Sequence, residues 1–232
     1  MIKIIKAELD KSINPQKAKI LQGFFKTKKG EYGEGDIFLG ISVPVLRKIA
    51  KKYDSLSLPK IHELLKSKIH EHRLVSLLIL VSQYKKADKH GKKTIFDFYL
   101  KNTANINNWD LVDLTAPNII GDYLIDKKRS ILYQLARSDN LWERRISIIA
   151  TFGLIKHGEY KDTFNISEIL LKDKHDLIHK SAGWMLREVG KRISQEIEEQ
   201  FLIKHYKSMP RTMLRYAIER FDAPKKEVYM KK

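Results

Sequence analysis

Trp109 and Asp113 stand four residues apart in the segment Asn107-Asn108-Trp109-Asp110-Leu111-Val112-Asp113. A helix there sets an indole ring and a carboxylate on one face, about one turn apart. The chain around them carries 45 Lys and Arg against 28 Asp and Glu, a formal net charge of +17. A binding face in such a protein meets a partner that is anionic overall. A carboxylate kept on that face serves to stabilise a local cation or to steer a water, while the ring offers stacking and cation–π contact.

The positive charge is spread along the chain rather than held in a tail, so it belongs to a folded surface. Nucleic acid is the leading partner for such a charge, with an anionic membrane second. Cysteine is absent, which excludes disulfides, thiolate catalysis and Cys-containing metal sites. The longest apolar run, Leu74 to Val81, contains Ser76 and is too short to cross a bilayer. Acidic residues interrupt the first ten positions too early for a signal peptide. The expectation is a soluble, cytoplasmic monomer with no cofactor and no metal. His175 and His179 have the four-residue spacing of a metal pair, but no third ligand accompanies them, and a surface or turn role is expected. No lysine stands out as a Schiff-base nucleophile.

The elements that must position these residues are helical, because apolar residues recur at three and four positions throughout. Helices are predicted over roughly 2–27, 44–53, 59–67, 70–86, 89–101, 108–124, 128–137, 141–157, 166–172, 176–191, 194–206 and 210–221. The glycine-rich stretch Lys28 to Asp36 reads as a connecting loop. One domain is expected over 1–223, followed by a loose tail, 224–232. Short helices ending in Leu-x-x-Ser or Leu-x-x-Asp precede longer ones that open with basic residues, and this arrangement recurs. The basic marker falls at Arg73, Arg145, Lys180 and Arg215, at intervals of 72, 35 and 35, so a marker near 109 coincides with Trp109. Paired helices repeating at this length stack into an all-α solenoid whose second helices line one concave, basic face. On this register Asp113 corresponds to Ile149, Trp184 and Glu219.

Trp109, Asp113, Arg145 and Trp184 are therefore expected to converge on the inner surface. The competing reading packs both tryptophans into the repeat and leaves Asp113 an ordinary solvated acid. Phosphate contacts are expected from Arg73, Arg144, Arg145, Lys156, Lys180, Arg187, Arg211 and Arg215 on double-stranded DNA. A purine alkylated at N3 or N7 is cationic and already a good leaving group. Its departure leaves an oxocarbenium-like deoxyribose that Asp113 could stabilise while orienting water, with no acid needed to protonate the base. Trp109 and Trp184 would hold the nucleotide, and Arg145 the adjacent phosphate. Asp110 points about 100° away from Trp109 and is expected to cap or make a structural hydrogen bond. His70 and His72 are expected near the DNA or in solvent, and Trp142 in packing.

The segments Trp109 to Asp113, Leu141-Trp142-Glu143-Arg144-Arg145-Ile146-Ser147-Ile148 and Ser181-Ala182-Gly183-Trp184-Met185-Leu186-Arg187 resemble those of the DNA alkylation repair family of AlkD-like DNA glycosylases. The stretches Gly30 to Gly40 and Val43 to Arg47 resemble it as well, so the similarity runs through nearly the whole chain. The resemblance implies a solenoid of HEAT-like repeats that excises 3-methyladenine and 7-methylguanine from DNA without turning the base into a deep pocket. It implies Trp109, Trp184 and Asp113 around the lesion and Arg145 on the backbone. Relatives without the catalytic set bind branched or distorted DNA instead, which is the alternative function.

Overall fold

The computed structural model describes residues 1–231. It is 71% helical, with 14 α-helices and no strands among those residues. The one β-type pairing among them is a parallel bridge between Ile37 and Ile69. The chain divides into two compact units, Met1–Thr115 and Ala116–Lys232.

The first unit holds α1 (Ile2–Asp10), α2 (Pro15–Phe24), α3 (Val43–Lys52), α4 (Leu58–Leu65), α5 (His70–Lys86) and α6 (Lys89–Lys101), and ends in α7 (Trp109–Ala116). Helix α5 is its axis: α3, α4 and α6 all pack against it. Leu74, Val75, Leu77, Leu78, Ile79, Leu80 and Val81 are all buried. A helix apolar on every side must be covered on every side, which accounts for the longest apolar run in the sequence. Its first turn is buried as well, and that turn is charged. The Glu71 carboxylate accepts hydrogen bonds from the amides of Leu39 (2.9 Å), Gly40 (2.8 Å) and Ile41 (3.2 Å), anchoring the loop before α3 onto α5.

The second unit opens with a five-residue π-helical segment, Pro117–Gly121. It continues with α8 (Ser130–Ala136), α9 (Leu141–Ile155), α10 (Lys161–Leu170), α11 (Asp176–Arg192), α12 (Gln195–His205), α13 (Arg211–Ala217) and α14 (Ala223–Met230). Helix α9 packs on α8, α10 and α11, and α11 packs on α9, α10, α12 and α13. Two crossings need glycine. Gly121 and Gly153 meet backbone to backbone, where an added Cβ at Gly121 would lie 2.2 Å from the Ala150 carbonyl oxygen. At Gly183 a Cβ would lie 2.3 Å from the Met213 carbonyl oxygen, so α13 approaches α11 only because that side chain is missing.

Three expectations require correction. The segment read as a loose tail is largely helix α14: Asp222 caps it by accepting from the Lys225 amide (2.8 Å), and Tyr229 is buried. Helix α10 begins at Lys161 rather than near 166. Arg145, Lys180 and Arg215 are each the fifth residue of their helices, but the expected register does not extend to the first unit, where Trp109 opens α7 and Arg73 is the fourth residue of α5.

Candidate functional site

The first unit presents Trp109 and Asp113 at the start and second turn of α7, both half-buried. The residues on either side of Trp109 fix it. Asn108, fully buried, accepts from the Trp109 amide through Oδ1 (2.8 Å) and donates through Nδ2 to Asp36 (3.3 Å). Asp110 accepts from the Leu111 amide through Oδ1 (2.8 Å), and its Oδ2 lies 2.7 Å from His70 Nε2. Asp110 thus has the capping and structural role expected of it. The indole of Trp109 lies on an aromatic bed, stacked on Phe25 at 5.0 Å and met edge-on by Phe24 at 5.9 Å. Phe25 in turn stacks on Phe38 at 4.9 Å.

Beside Asp113, Tyr99 is fully buried and hydrogen-bonded to Thr115 (2.9 Å). Burial pushes its phenol well above the usual range, and the negative charge of Asp113 pushes it in the same direction. The phenol stays neutral at any working pH.

Beneath α7 lies a buried ionic cluster that charge counting along the sequence does not reveal. Asp36, from the end of the glycine-rich loop, pairs with Arg73 (Nη2 to Oδ2, 2.7 Å) and lies 3.5 Å from His70 Nδ1. Arg73 is 3% exposed and also donates to the Ser67 carbonyl (2.9 Å). The expectation of Arg73 as a surface phosphate contact is therefore corrected: it is a buried partner of Asp36. His70 and His72 are likewise 2% and 3% exposed, not solvated. Burial drives the pKa of His72 down to about 4, whereas Asp110 and Asp36 overcome burial at His70 and raise it to about 9. The Asp36 carboxyl is held low despite burial, by His70, Arg73 and Asn108.

The second unit presents Trp184 on α11, next to the Gly183 crossing. Its indole Nε1 donates to Glu188 (3.2 Å), which is buried and accepts from Arg192 Nε through its other oxygen (2.7 Å). Phe152 lies 6.2 Å from the Trp184 ring, with the cations of Lys156 and Arg192 4.6 and 4.8 Å from its centroid. Trp184 and Glu188 thus repeat the four-residue aromatic–carboxylate spacing of Trp109 and Asp113. That spacing was a readable signal for Glu188 that sequence reasoning passed over.

The cations of this unit divide by environment. Arg145 is 5% exposed, with Nη1 donating to the Leu177 carbonyl (2.6 Å), so like Arg73 it is a buried arginine and not the exposed phosphate contact expected. Arg144 pairs with Asp173 through Nε (2.6 Å) and donates through Nη1 to the carbonyls of Ser138 and Asp139. It ties the α8–α9 connection to the start of α11, which corrects its expected place among the phosphate contacts. Arg187 forms an ion pair with Glu219, and Lys180 pairs with Asp176 one turn away (2.6 Å). Arg215 is exposed and lines an open cavity of about 660 Å³ with Tyr216, Ile218, Glu219, Lys226 and Met230. Arg211, also exposed, donates to the Met230 carbonyl (2.9 Å). Trp142 is buried, as expected of a packing residue. His175 accepts from the Leu177 amide and His179 donates to the Asp173 carbonyl, so both serve the start of α11. Among the described residues no group of three or more His, Asp or Glu is arranged to hold a metal ion, and no helix is long and apolar enough to cross a membrane.

The chain is all-helical, strongly basic and carries two tryptophan–carboxylate pairs one turn apart, and the class it falls in is that of DNA repair proteins, as its family match shows. The particular family is the DNA alkylation repair enzymes: the chain matches it over residues 5–221 and belongs to it. It is similar to a solved structure described as a predicted DNA alkylation repair enzyme from Enterococcus faecalis, with a TM-score of 0.69 and 14% identity. The match covers 91% of this chain and 98% of that one, and at this identity it is a likeness of fold. No curated protein matches the chain.

Proposed function

We propose that the protein is a monofunctional DNA glycosylase that hydrolyses the N-glycosidic bond of cationic alkylated purines, 3-methyladenine and 7-methylguanine, in double-stranded DNA. The observation that carries this reading is the pairing of Trp109 and Asp113 on α7, with the indole braced by Phe25 and both neighbouring residues pinned. Such a braced ring is a rigid stacking surface, and rigid positioning is what lowers a barrier dominated by orientation.

The chemistry asks little else of the protein. In an N3- or N7-alkylated purine the positive charge already draws electrons from the glycosidic bond. That bond breaks with its electron pair leaving on the base, which departs neutral, so no general acid is required. The sugar becomes oxocarbenium-like, and Asp113 stabilises that charge while orienting a water that adds at the anomeric carbon and then loses a proton. Within the second unit Trp184, held by Glu188, offers an aromatic surface of its own. Arg215, exposed on α13, adds positive charge toward a DNA backbone. A base that leaves as a cation's product has no need of a deep recognition pocket, in contrast to base-flipping enzymes.

The test is release of free base from methylated duplex DNA by the wild-type protein. Release of 3-methyladenine and 7-methylguanine, leaving an unbroken strand with abasic sites, is the expected result. DNA binding without release would replace this reading with that of a non-enzymatic binder of damaged or branched DNA.

A further inference from the structure

We infer that His70 is a positioning residue for Trp109 and Asp113: a buried imidazolium that clamps the start of α7 between two carboxylates. This inference rests on the glycosylase reading for the role of α7, but the clamp itself is a matter of geometry.

His70 is the first residue of α5, and its amide donates to the Ile37 carbonyl (2.8 Å), so its backbone is fixed to the loop that carries Asp36. The ring is 2% exposed, and each nitrogen faces a carboxylate oxygen: Nε2 to Asp110 at 2.7 Å and Nδ1 to Asp36 at 3.5 Å. A neutral imidazole has one N–H and one lone pair, so it would set a lone pair against one of those two anions. The doubly protonated ring donates to Asp110 and turns its second N–H and its charge toward Asp36, which lies at ion-pair distance without a hydrogen bond, and it is the form that the two charges favour. The charged and titratable groups facing the ring are Asp36 from the loop, Asp110 from α7 and Arg73 from its own helix. The first two raise its pKa, to about 9, while burial and Arg73 lower it. Phe38, stacked on the ring at 4.5 Å, and Phe25 at 5.3 Å close it off and bring no charge.

The consequence reaches Trp109 by two routes. Asp36, held by His70 and Arg73, receives the Asn108 amide that precedes Trp109, and Asp110, held by His70, follows it. The ring contacts run from His70 through Phe38 and Phe25 to the indole itself. Loss of the imidazolium leaves Asp110 and Asp36 as buried carboxylates with a partner missing, and the strain is relieved by movement of α7. Both Trp109 and Asp113 move with it.

The test compares wild type, His70→Gln, Asp110→Asn and the double variant. Four quantities are measured: melting temperature, affinity for undamaged duplex, single-turnover base release, and the ¹H–¹⁵N signals of the three indoles. Each single variant is expected to melt cooperatively and bind undamaged duplex within about threefold of wild type. Base release should slow at least tenfold in each, and the double variant should be no slower than the worse single, as for residues acting as one unit. The Trp109 indole signal should shift or broaden while those of Trp142 and Trp184 stay in place. Wild-type release rates in both single variants, or multiplying losses in the double, would overturn the clamp. Should wild type release no base, the glycosylase reading fails while the indole signals still decide the clamp: an unmoved Trp109 signal in both single variants overturns it.

Discussion

Glu198, on the first turn of α12, is a buried acid whose removal should stabilise the protein at pH 9. It is 2% exposed, its Oε1 has no hydrogen-bond partner, and the negative charge of Glu199 acts on it. Its Oε2 lies so close to Gly190 that a Cβ there would sit 1.8 Å from it, which leaves no room for a water between them. Burial, then repulsion from Glu199, raise its pKa from 4.5 to about 8, and Arg187 offsets this only in part. Because the folded value lies above the unfolded one, the folded state is favoured fully below pH 4.5 and loses stability as pH rises through about 8. The rise corresponds to about 5 kcal/mol at roughly 1.36 kcal/mol per pKa unit. Glu198→Gln removes that penalty but leaves a buried amide without full partners, which returns about 1–3 kcal/mol. The net expectation is about 2–4 kcal/mol of added stability at pH 9 and a loss of about 1–3 kcal/mol at pH 4.5, where only the amide cost remains. For a chain of this size the gain at pH 9 is a rise in melting temperature of roughly 5–10 °C. Circular dichroism melts of both proteins at pH 4.5, 7 and 9 give the answer. A gain of the same size at pH 4.5 and 9, or no gain at pH 9, would refute the reasoning.

Two sequence neighbours in the first turn of α5 should differ in charge at neutral pH. Nitrogen-15 shifts at pH 7 are expected to show His70 doubly protonated and His72 neutral, since their pKa values are moved to about 9 and about 4; a neutral His70 would contradict the ion cluster. The stability that His70 contributes should be complete below pH 6.5 and lost as pH rises through about 9, visible as a high-pH decline in melting temperature that His70→Gln lacks. Gly183→Val should cost about 1–3 kcal/mol or more by forcing α13 off α11, and denaturant unfolding of the variant with unchanged midpoint would show that the crossing tolerates a side chain. Glu188→Gln keeps an acceptor for the Trp184 indole but loses its charge beside Arg192, so its effect on melting should be small; Glu188→Leu should shift the Trp184 indole signal, and an unmoved signal would remove Glu188 from the site.

The helices were legible because periodicity is local: the apolar stripe of α5 and the openings of α9, α11 and α13 follow from residues three and four apart. Helix α14 was missed although its start signals were present, Asp222 as cap and Pro224 in the first turn. The Trp109–Asp113 pair was legible for the same reason as the helices. The ion cluster was not, because Asp36 and Arg73 meet across 37 residues, and nothing local distinguishes an arginine destined for a buried carboxylate from one left in water. Arg144 was misjudged in the same way: its partner Asp173 lies 29 residues on.

The most direct test of the central claim compares wild type with Asp113→Asn in single-turnover release of 7-methylguanine from a duplex carrying one such base. The account predicts release by wild type, at least a hundredfold slower release by the variant, and affinities for the duplex within about threefold of each other, the rate ratio amounting to about 2.7 kcal/mol of transition-state stabilisation. Equal rates, or a variant that fails through lost binding alone, would contradict it.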